Sequence, residues 1–402
     1  MLNIALLLHC GVFEKEFGKR FGLDRDSYLA TYRNDWSWDY ASSLKKEGIE
    51  PIIYTASQKY SGIYETKDGY RIRFLPLKVW YKWTSKFRFP PKRFKIGNYW
   101  QEILNSIAFK DSLLLGLKED KVDLLYIQEY WTTRFDFLID NVEIPIIGAD
   151  HGGNDSLAIA SHKQKSLPKA YKLQCQSTEE LQKVKSYNGD AVLLTNSVDT
   201  DFYCPSTLKS QRTARKTILI VARLFERQKR ISDLIRAMQY LDSTWILEIV
   251  GSGSDLKFLQ NLASDLGVAQ RVRFLGFIRD KNQLREKYRQ CSVFALSSAW
   301  EAVALVVLEA MSCGVAVVIT DIRTFKNLVI HKKNGIKVPV GEPLALAHGI
   351  LKCYENRELY GKEARKIIVD SYSQKKLFSQ LAEIIKSCPK IDKKTASTIT
   401  QT

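Results

Sequence analysis

Short apolar runs alternate with helical patterns along most of the chain, and this alternation limits it to α/β architectures. Strands are predicted at Leu2–Leu8, Ile52–Thr55, Tyr70–Leu75, Val122–Ile127 and Ile144–Ala149. A second series is predicted at Thr217–Ala222, Trp245–Val250, Arg271–Leu275, Ser292–Leu296 and Val315–Thr320. These runs are rich in Val, Ile and Leu and alternate little, as strands buried on both faces of a parallel sheet do. Amphipathic helices lie between them. Ile231, Leu234, Ile235, Met238 and Leu241 mark one, and Leu256, Leu259, Ala263 and Leu266 another. The pattern predicts doubly wound parallel sheets.

At 402 residues the chain has room for two such cores. The polar, aperiodic stretch from Cys204 to Lys216 marks the start of the second. Ligands of doubly wound sheets bind at the carboxyl ends of the strands, so a site is expected in a cleft between the halves. No run approaches the ~20 apolar residues of a membrane span. Leu2–Leu8 has no basic segment before it and reads as a strand, not a signal peptide. Seven cysteines without a C-x-x-C pair fit neither a disulfide framework nor a zinc site, and they point to a reducing cytoplasm. The net charge of +17 predicts an anionic partner.

The richest run of chemistry is Trp300-Glu-Ala-Val-Ala-Leu-Val-Val-Leu-Glu-Ala-Met311, which follows a predicted strand and opens a helix. Glu301 and Glu309 are eight residues apart, ~12 Å along a helix. Two carboxylates at that spacing suit hydroxyls at opposite ends of one elongated ligand, with the N–H groups of the helix start available to an anion between them. Hydroxyl, phosphate, hydroxyl is the layout of a nucleotide-sugar. Upstream, Arg223 follows a strand and Lys229 precedes a helix, two cations placed for a diphosphate. Gly251-Ser-Gly253 is a tight turn after another strand.

These pieces, in this order, resemble the carboxyl-terminal domain of the family 4 glycosyltransferases, which have the GT-B fold. Phe274-Leu-Gly-Phe-Ile278, Asn334-Gly335 and the Leu344-to-Ile350 helix extend the likeness, as does Asn196-Ser-Val-Asp-Thr200 for the family's interdomain segment. The likeness is strong over about 190–350 and only topological before it. It implies two Rossmann-like domains: 1–197 for the acceptor and 198–373 for the nucleotide-sugar donor. A helix at 374–385 is expected to pack back on the first domain, followed by a disordered tail, 386–402.

The resemblance also implies roles. Arg223 and Lys229, with the backbone at Leu305 and Val306, would bind the donor diphosphate. Glu309 would hold the ribose, Glu301 the transferred sugar, and the backbone near Phe277 and Ile278 the nucleobase. Gly251 and Gly253 form a turn near the donor. No metal and no cofactor is expected, because cations and helix dipoles neutralise the leaving diphosphate. The implied activity is that of a hexosyltransferase-type enzyme that retains anomeric configuration.

The first half offers three further candidates at strand ends. His151, in Asp150-His-Gly-Gly153, is a candidate catalytic contact or proton acceptor. Glu129 and Gly11 are candidates on the acceptor side. Residues 78–100 combine seven Lys or Arg with eight aromatics and no acid, which suits docking on an anionic membrane face. A lipid-linked or anionic saccharide acceptor and a peripheral place at the cytoplasmic face of the plasma or inner membrane follow as expectations.

The chain also departs from the family pattern. Ala302-Val303-Ala304 stands in place of Gly-Phe-Gly, and Arg323, Thr324 and Asn327 stand where the family has a glycine pair and then a glutamate. These departures keep open a nucleotide-sugar-binding relative without catalysis. A transferase for a small soluble acceptor such as a sugar phosphate is another alternative. A basic nucleic-acid-binding protein is disfavoured, since no RRM, KH or zinc pattern is present.

Overall fold

The computed structural model describes residues 2–8, 12–19, 21–33, 36–84, 96–150, 159, 161–206, 216–301 and 304–389, excepting the side chains of 82–84 and 96–100. The chain divides into two units. Unit 1 is Met1–Thr195 with Leu377–Thr402, and unit 2 is Asn196–Lys376.

Unit 1 holds β1 (Leu2–Leu7), β2 (Ile49–Ser57), β3 (Gly62–Glu65), β4 (Arg71–Pro76), β5 (Leu124–Gln128), β6 (Ile146–Ala149), β7 (Lys172–Cys175) and β8 (Val192–Leu193). They form one sheet in the order β3-β4-β2-β1-β5-β6-β7-β8. Every pairing is parallel except the β3–β4 hairpin. The order reverses between β1 and β5, and Glu129 follows the end of β5.

Unit 2 holds β9 (Lys216–Val221), β10 (Trp245–Val250), β11 (Val272–Gly276), β12 (Val293–Leu296), β13 (Val317–Thr320) and β14 (Gly335–Val338). Its sheet is wholly parallel, in the order β11-β10-β9-β12-β13-β14. This is the Rossmann order, with its switch point between β9 and β12. Ile218, Leu219, Ile220, Phe294, Ala295, Val317, Val318 and Ile319 are fully buried, which is what uninterrupted apolar strands require.

All ten predicted strands are present, with ends shifted by up to three residues. Four strands escaped prediction. β7 reads Lys-Leu-Gln-Cys, β3 and β14 have four residues each, and β8 has two, so none carries an apolar run. The helix Gln374–Lys386 begins beside a bridge between Val198 and Ser373 in unit 2. Its Leu377, Phe378, Leu381, Ala382 and Ile385 join the core of unit 1 with Ile4, Leu6 and Tyr40. Tyr171 Oη donates to the Ile384 carbonyl at 3.0 Å and Ser379 Oγ to Glu47 at 2.9 Å. Of the expected tail, residues 390–402 lie outside the described residues. Among the described residues no helix is long and apolar enough to cross a membrane.

Candidate functional site

The site in unit 2 grows from the switch point. β9 delivers Arg223 and β12 delivers Glu301, the two strands being neighbours in the sheet. Two glycines place the segment after β9. Gly251 has φ of +138°, and a Cβ on it would stand 1.9 Å from the Ala222 carbonyl oxygen. A Cβ on Gly253 would stand 2.2 Å from the Leu224 oxygen. Only glycine lets the two chains touch this closely. The contact is sealed by Leu224 N donating to the Ser252 carbonyl at 3.0 Å and Asp255 N to that of Leu224 at 3.2 Å. Gly251 and Gly253 therefore act by positioning Arg223.

Arg223 is exposed, and its Nη2 donates to Gln228 Oε1 at 3.3 Å. Gln228 donates in turn to the Trp300 carbonyl at 3.2 Å and accepts from Ala299 N at 2.8 Å, tying the β9 and β12 ends together. Lys229 ends the short helix Glu226–Lys229, which closes on Arg230 in the left-handed region (φ 46°). Ser297 Oγ satisfies the carbonyls of Lys229 and Arg230 at 2.9 and 2.8 Å.

Lys229 Nζ lies 2.5 Å from Glu301 Oε1, with the two side chains 12% and 5% exposed. Ser298 Oγ donates to the same oxygen at 2.5 Å. Thr324 Oγ1 donates to the Glu301 carbonyl at 2.5 Å, and Thr320 Oγ1 to that of Ser298 at 2.6 Å. A cation and a carboxylate predicted to meet different parts of one ligand thus meet each other here. Each is desolvated and each is compensated by the other.

The helix Leu305–Ser312 starts at Ala304, whose side chain offers no cap. The first N–H groups of such a helix have no carbonyl within it; they belong to Leu305, which is exposed, and Val306, which is half-buried. Glu309 lies one turn on. Its Oε2 accepts from Tyr288 Oη at 2.6 Å. Burial, and then the Glu309 carboxylate, push the Tyr288 hydroxyl well above its ordinary pKa, so it stays a donor that fixes the carboxylate. Phe277 is exposed and Ile278 half-buried directly after β11, whose last residue, Gly276, accepts from Gly251 N at 2.8 Å.

In unit 1, Glu129 follows β5 with φ of +63°, an uncommon conformation for a side-chain-bearing residue. Its N–H donates to the Ala149 carbonyl at 2.6 Å, and its own carbonyl accepts from Thr132 N at 3.0 Å and Thr132 Oγ1 at 2.8 Å. Lys163 underpins this turn. Its buried ammonium donates to the Tyr130 carbonyl at 2.7 Å and the Thr132 carbonyl at 2.5 Å, and pairs with Asp136 at 2.9 Å. Burial pushes its pKa down to about 8.

Beside it, Glu180 accepts from Tyr130 Oη, from Trp131 Nε1 at 3.2 Å and from Gln176 N at 2.6 Å. Burial, and then the charge of Asp150, raise Glu180 to about 7. Gly11 and His151 lie outside the described residues, although Arg134 Nη1 reaches the Leu8 carbonyl at 3.0 Å at the end of β1. Lys163, Glu180, Ser298, Thr324, Gln228 and Tyr288 were not among the predicted residues.

The chain thus has two Rossmann-like α/β units, the domain pair of the GT-B fold. The family model for glycosyl transferases group 1 matches residues 208–387, and that region belongs to this family. An uncharacterized glycosyltransferase of Methanocaldococcus jannaschii is 33% identical over 176 residues, 42% of this chain and 45% of that protein. The phosphatidyl-myo-inositol mannosyltransferase of Mycobacterium tuberculosis is 32% identical over 190 residues, 44% of this chain and 49% of that protein. The chain thus spans about half the length of the curated relatives it matches. Among solved structures, Anabaena HepE in complex with UDP aligns with a TM-score of 0.65 at 17% identity, covering 96% of this chain and 100% of that one. At that identity the likeness is one of fold.

Proposed function

We propose that this chain is a retaining, hexosyltransferase-type glycosyltransferase. It would move a sugar from a UDP- or GDP-linked donor to an acceptor hydroxyl, in the synthesis of cell-surface polysaccharide or glycolipid. The observation that carries this reading is the gathering of Arg223, Lys229, Glu301 and the open start of the Leu305–Ser312 helix at the unit 2 switch point.

In this reading the donor diphosphate lies against Arg223, Lys229 and the N–H groups at Leu305 and Val306. These groups take up the charge that develops as the diphosphate leaves. Lys229 has three N–H donors and can serve a phosphate oxygen while keeping Glu301. Among the described residues Glu301 Oε2 accepts no hydrogen bond, so it is the oxygen offered to sugar hydroxyls. Glu309, fixed by Tyr288, holds the ribose, and the base lies along Phe277 and Ile278. These charged groups supply the neutralisation by themselves, so no metal and no cofactor has a role in the scheme.

Glu129 is proposed on the acceptor side. A lipid-linked or anionic acceptor is supported by the charge of +17 and by the acceptor named for the mycobacterial relative. Docking on the cytoplasmic membrane face through 78–100 belongs to the same reading. Within that segment Val79 is 73% exposed beside Lys78, while 85–95 lie outside the described residues.

The experiment is thermal stabilisation by UDP, GDP, ADP and CMP of the unmodified chain and of Glu309→Ala. A ligand at 100 times its Kd adds ~2.7 kcal/mol. One nucleoside diphosphate should raise the midpoint, and the variant should lose that shift. No response to any of the four would reject the donor site. Sedimentation with phosphatidylserine vesicles checks the membrane face, and no binding there rejects that part alone.

A further inference from the structure

We propose that Thr324 is a positioning residue for the donor sugar, setting together with Ser298 where the Glu301 carboxylate stands. The inference rests on the donor-site reading above and adds a specificity element to it.

Glu301 is held at two separate points. Ser298 Oγ and Lys229 Nζ both meet Oε1, each at 2.5 Å. Thr324 Oγ1 meets the backbone carbonyl of the same residue at 2.5 Å. Thr324 comes from the turn Arg323–Phe325 after β13, whereas Glu301 follows β12, so the bond joins the ends of neighbouring strands. The turn is itself anchored, since Phe325 is fully buried. The Ser298 carbonyl is held by Thr320 Oγ1 at 2.6 Å, giving a second hydroxyl bridge between the same two strand ends.

A hydroxyl holding only the side chain would let the backbone of Glu301 drift, and one holding only the backbone would let its χ angles turn. With both present, Glu301 is restrained at its backbone and at its side chain. Thr324 is exposed, so burial does not account for its bond to Glu301. Thr324 meets Glu301 at its backbone carbonyl, whereas Lys229 meets it at Oε1, so loss of the Thr324 hydroxyl bears first on the sugar end.

The test compares two ligands on three proteins, the unmodified full chain, Thr324→Val and Thr324→Ser. Thr324→Val keeps the β-branched shape and loses the donor, while Thr324→Ser keeps the donor. The probes are UDP with UDP-glucose and GDP with GDP-mannose, measured by calorimetry. The nucleoside diphosphate that binds the unmodified chain should bind Thr324→Val within twofold. Its sugar conjugate should bind Thr324→Val about tenfold more weakly, and Thr324→Ser should restore it. Ser298→Ala should reproduce the selective loss.

Equal weakening of diphosphate and conjugate would reduce Thr324 to a structural role and overturn the proposal. Unchanged conjugate binding in Thr324→Val would overturn it alone, leaving the donor site standing. Failure of either diphosphate to bind the unmodified chain would overturn the donor-site reading, and this proposal with it.

Discussion

One unit turns its strand ends with glycine; the other does so with a glutamate. After β10 in unit 2, Gly251 takes φ of +138° with no space for a Cβ, and Gly276 takes +70° at the end of β11. After β5 in unit 1, Glu129 takes +63° and keeps its side chain. Glycine at such a place is the inexpensive solution. A side chain there costs on the order of 1–2 kcal/mol, and two hydrogen bonds from Thr132 with two from Lys163 hold the turn against that cost. In unit 2 the backbone has been cleared so that charged side chains can be brought up. In unit 1 a side-chain-bearing residue is held in the left-handed region by its neighbours' hydrogen bonds.

The largest effect is expected at Gly251. Gly251→Ala should destabilise unit 2 by about 3 kcal/mol or more, because the new methyl would stand 1.9 Å from a backbone oxygen. Gly276→Ala, which meets nothing within 4 Å, should cost only about 1 kcal/mol. Urea unfolding of the two variants checks the contrast, and equal losses would refute it.

Next in size is the Lys229–Glu301 pair. Lys229→Ala leaves a buried carboxylate unpaired and should cost about 3 kcal/mol. The double variant Lys229→Ala with Glu301→Ala should recover part of that loss. Additive losses in the same unfolding assay would show that the two charges are uncoupled.

The third effect concerns protons. Glu180 is raised to about 7, so between its ordinary value of 4.5 and 7 the folded protein holds a proton that the unfolded chain gives up. Its stabilising contribution is therefore present at pH 4.5 and is lost as pH rises through 7. Glu180→Gln, which mimics the protonated form, should flatten the fall of the thermal midpoint across that window. An unchanged slope would mean that other groups set it.

The smallest effect is at Glu129. Glu129→Gly should raise stability by up to about 1 kcal/mol while lowering transfer to the acceptor. A loss of stability instead would show that the side chain braces the fold and does not serve a substrate.

The two halves were unequally legible in the sequence for the same physical reason that separates them here. Arg223 and Glu301 stand within a few residues of apolar strands, and Lys229 and Glu309 follow them at short spacings, so their likeness to a nucleotide-sugar site was visible in short windows. The strands β9, β10 and β12 were legible because both faces are buried and the code is simply apolar. The hydroxyls that hold Glu301 and Glu309 were not legible. Thr324 reaches Glu301 across 23 residues and Tyr288 reaches Glu309 across 21, and no local pattern announces either contact. In unit 1 the support for Glu129 comes from Lys163, 31 residues from the Thr132 carbonyl it holds, and one of two lysines in a short polar helix reads as a surface charge. β7 escaped because Gln174, fully buried, spends its amide on Tyr126, Tyr40 and Leu194 and so hides a core strand behind a polar residue.

The helix Gln374–Lys386 carries a consequence for synthesis. It completes the core of a unit whose other strands all precede residue 196. A ribosome adding about 5–20 residues per second needs roughly 10–40 s to traverse 196–376. Throughout that interval the nascent first sheet presents the apolar seat later filled by Leu377, Phe378, Leu381 and Ile385. The core of unit 1 is therefore completed only after unit 2 has been synthesised.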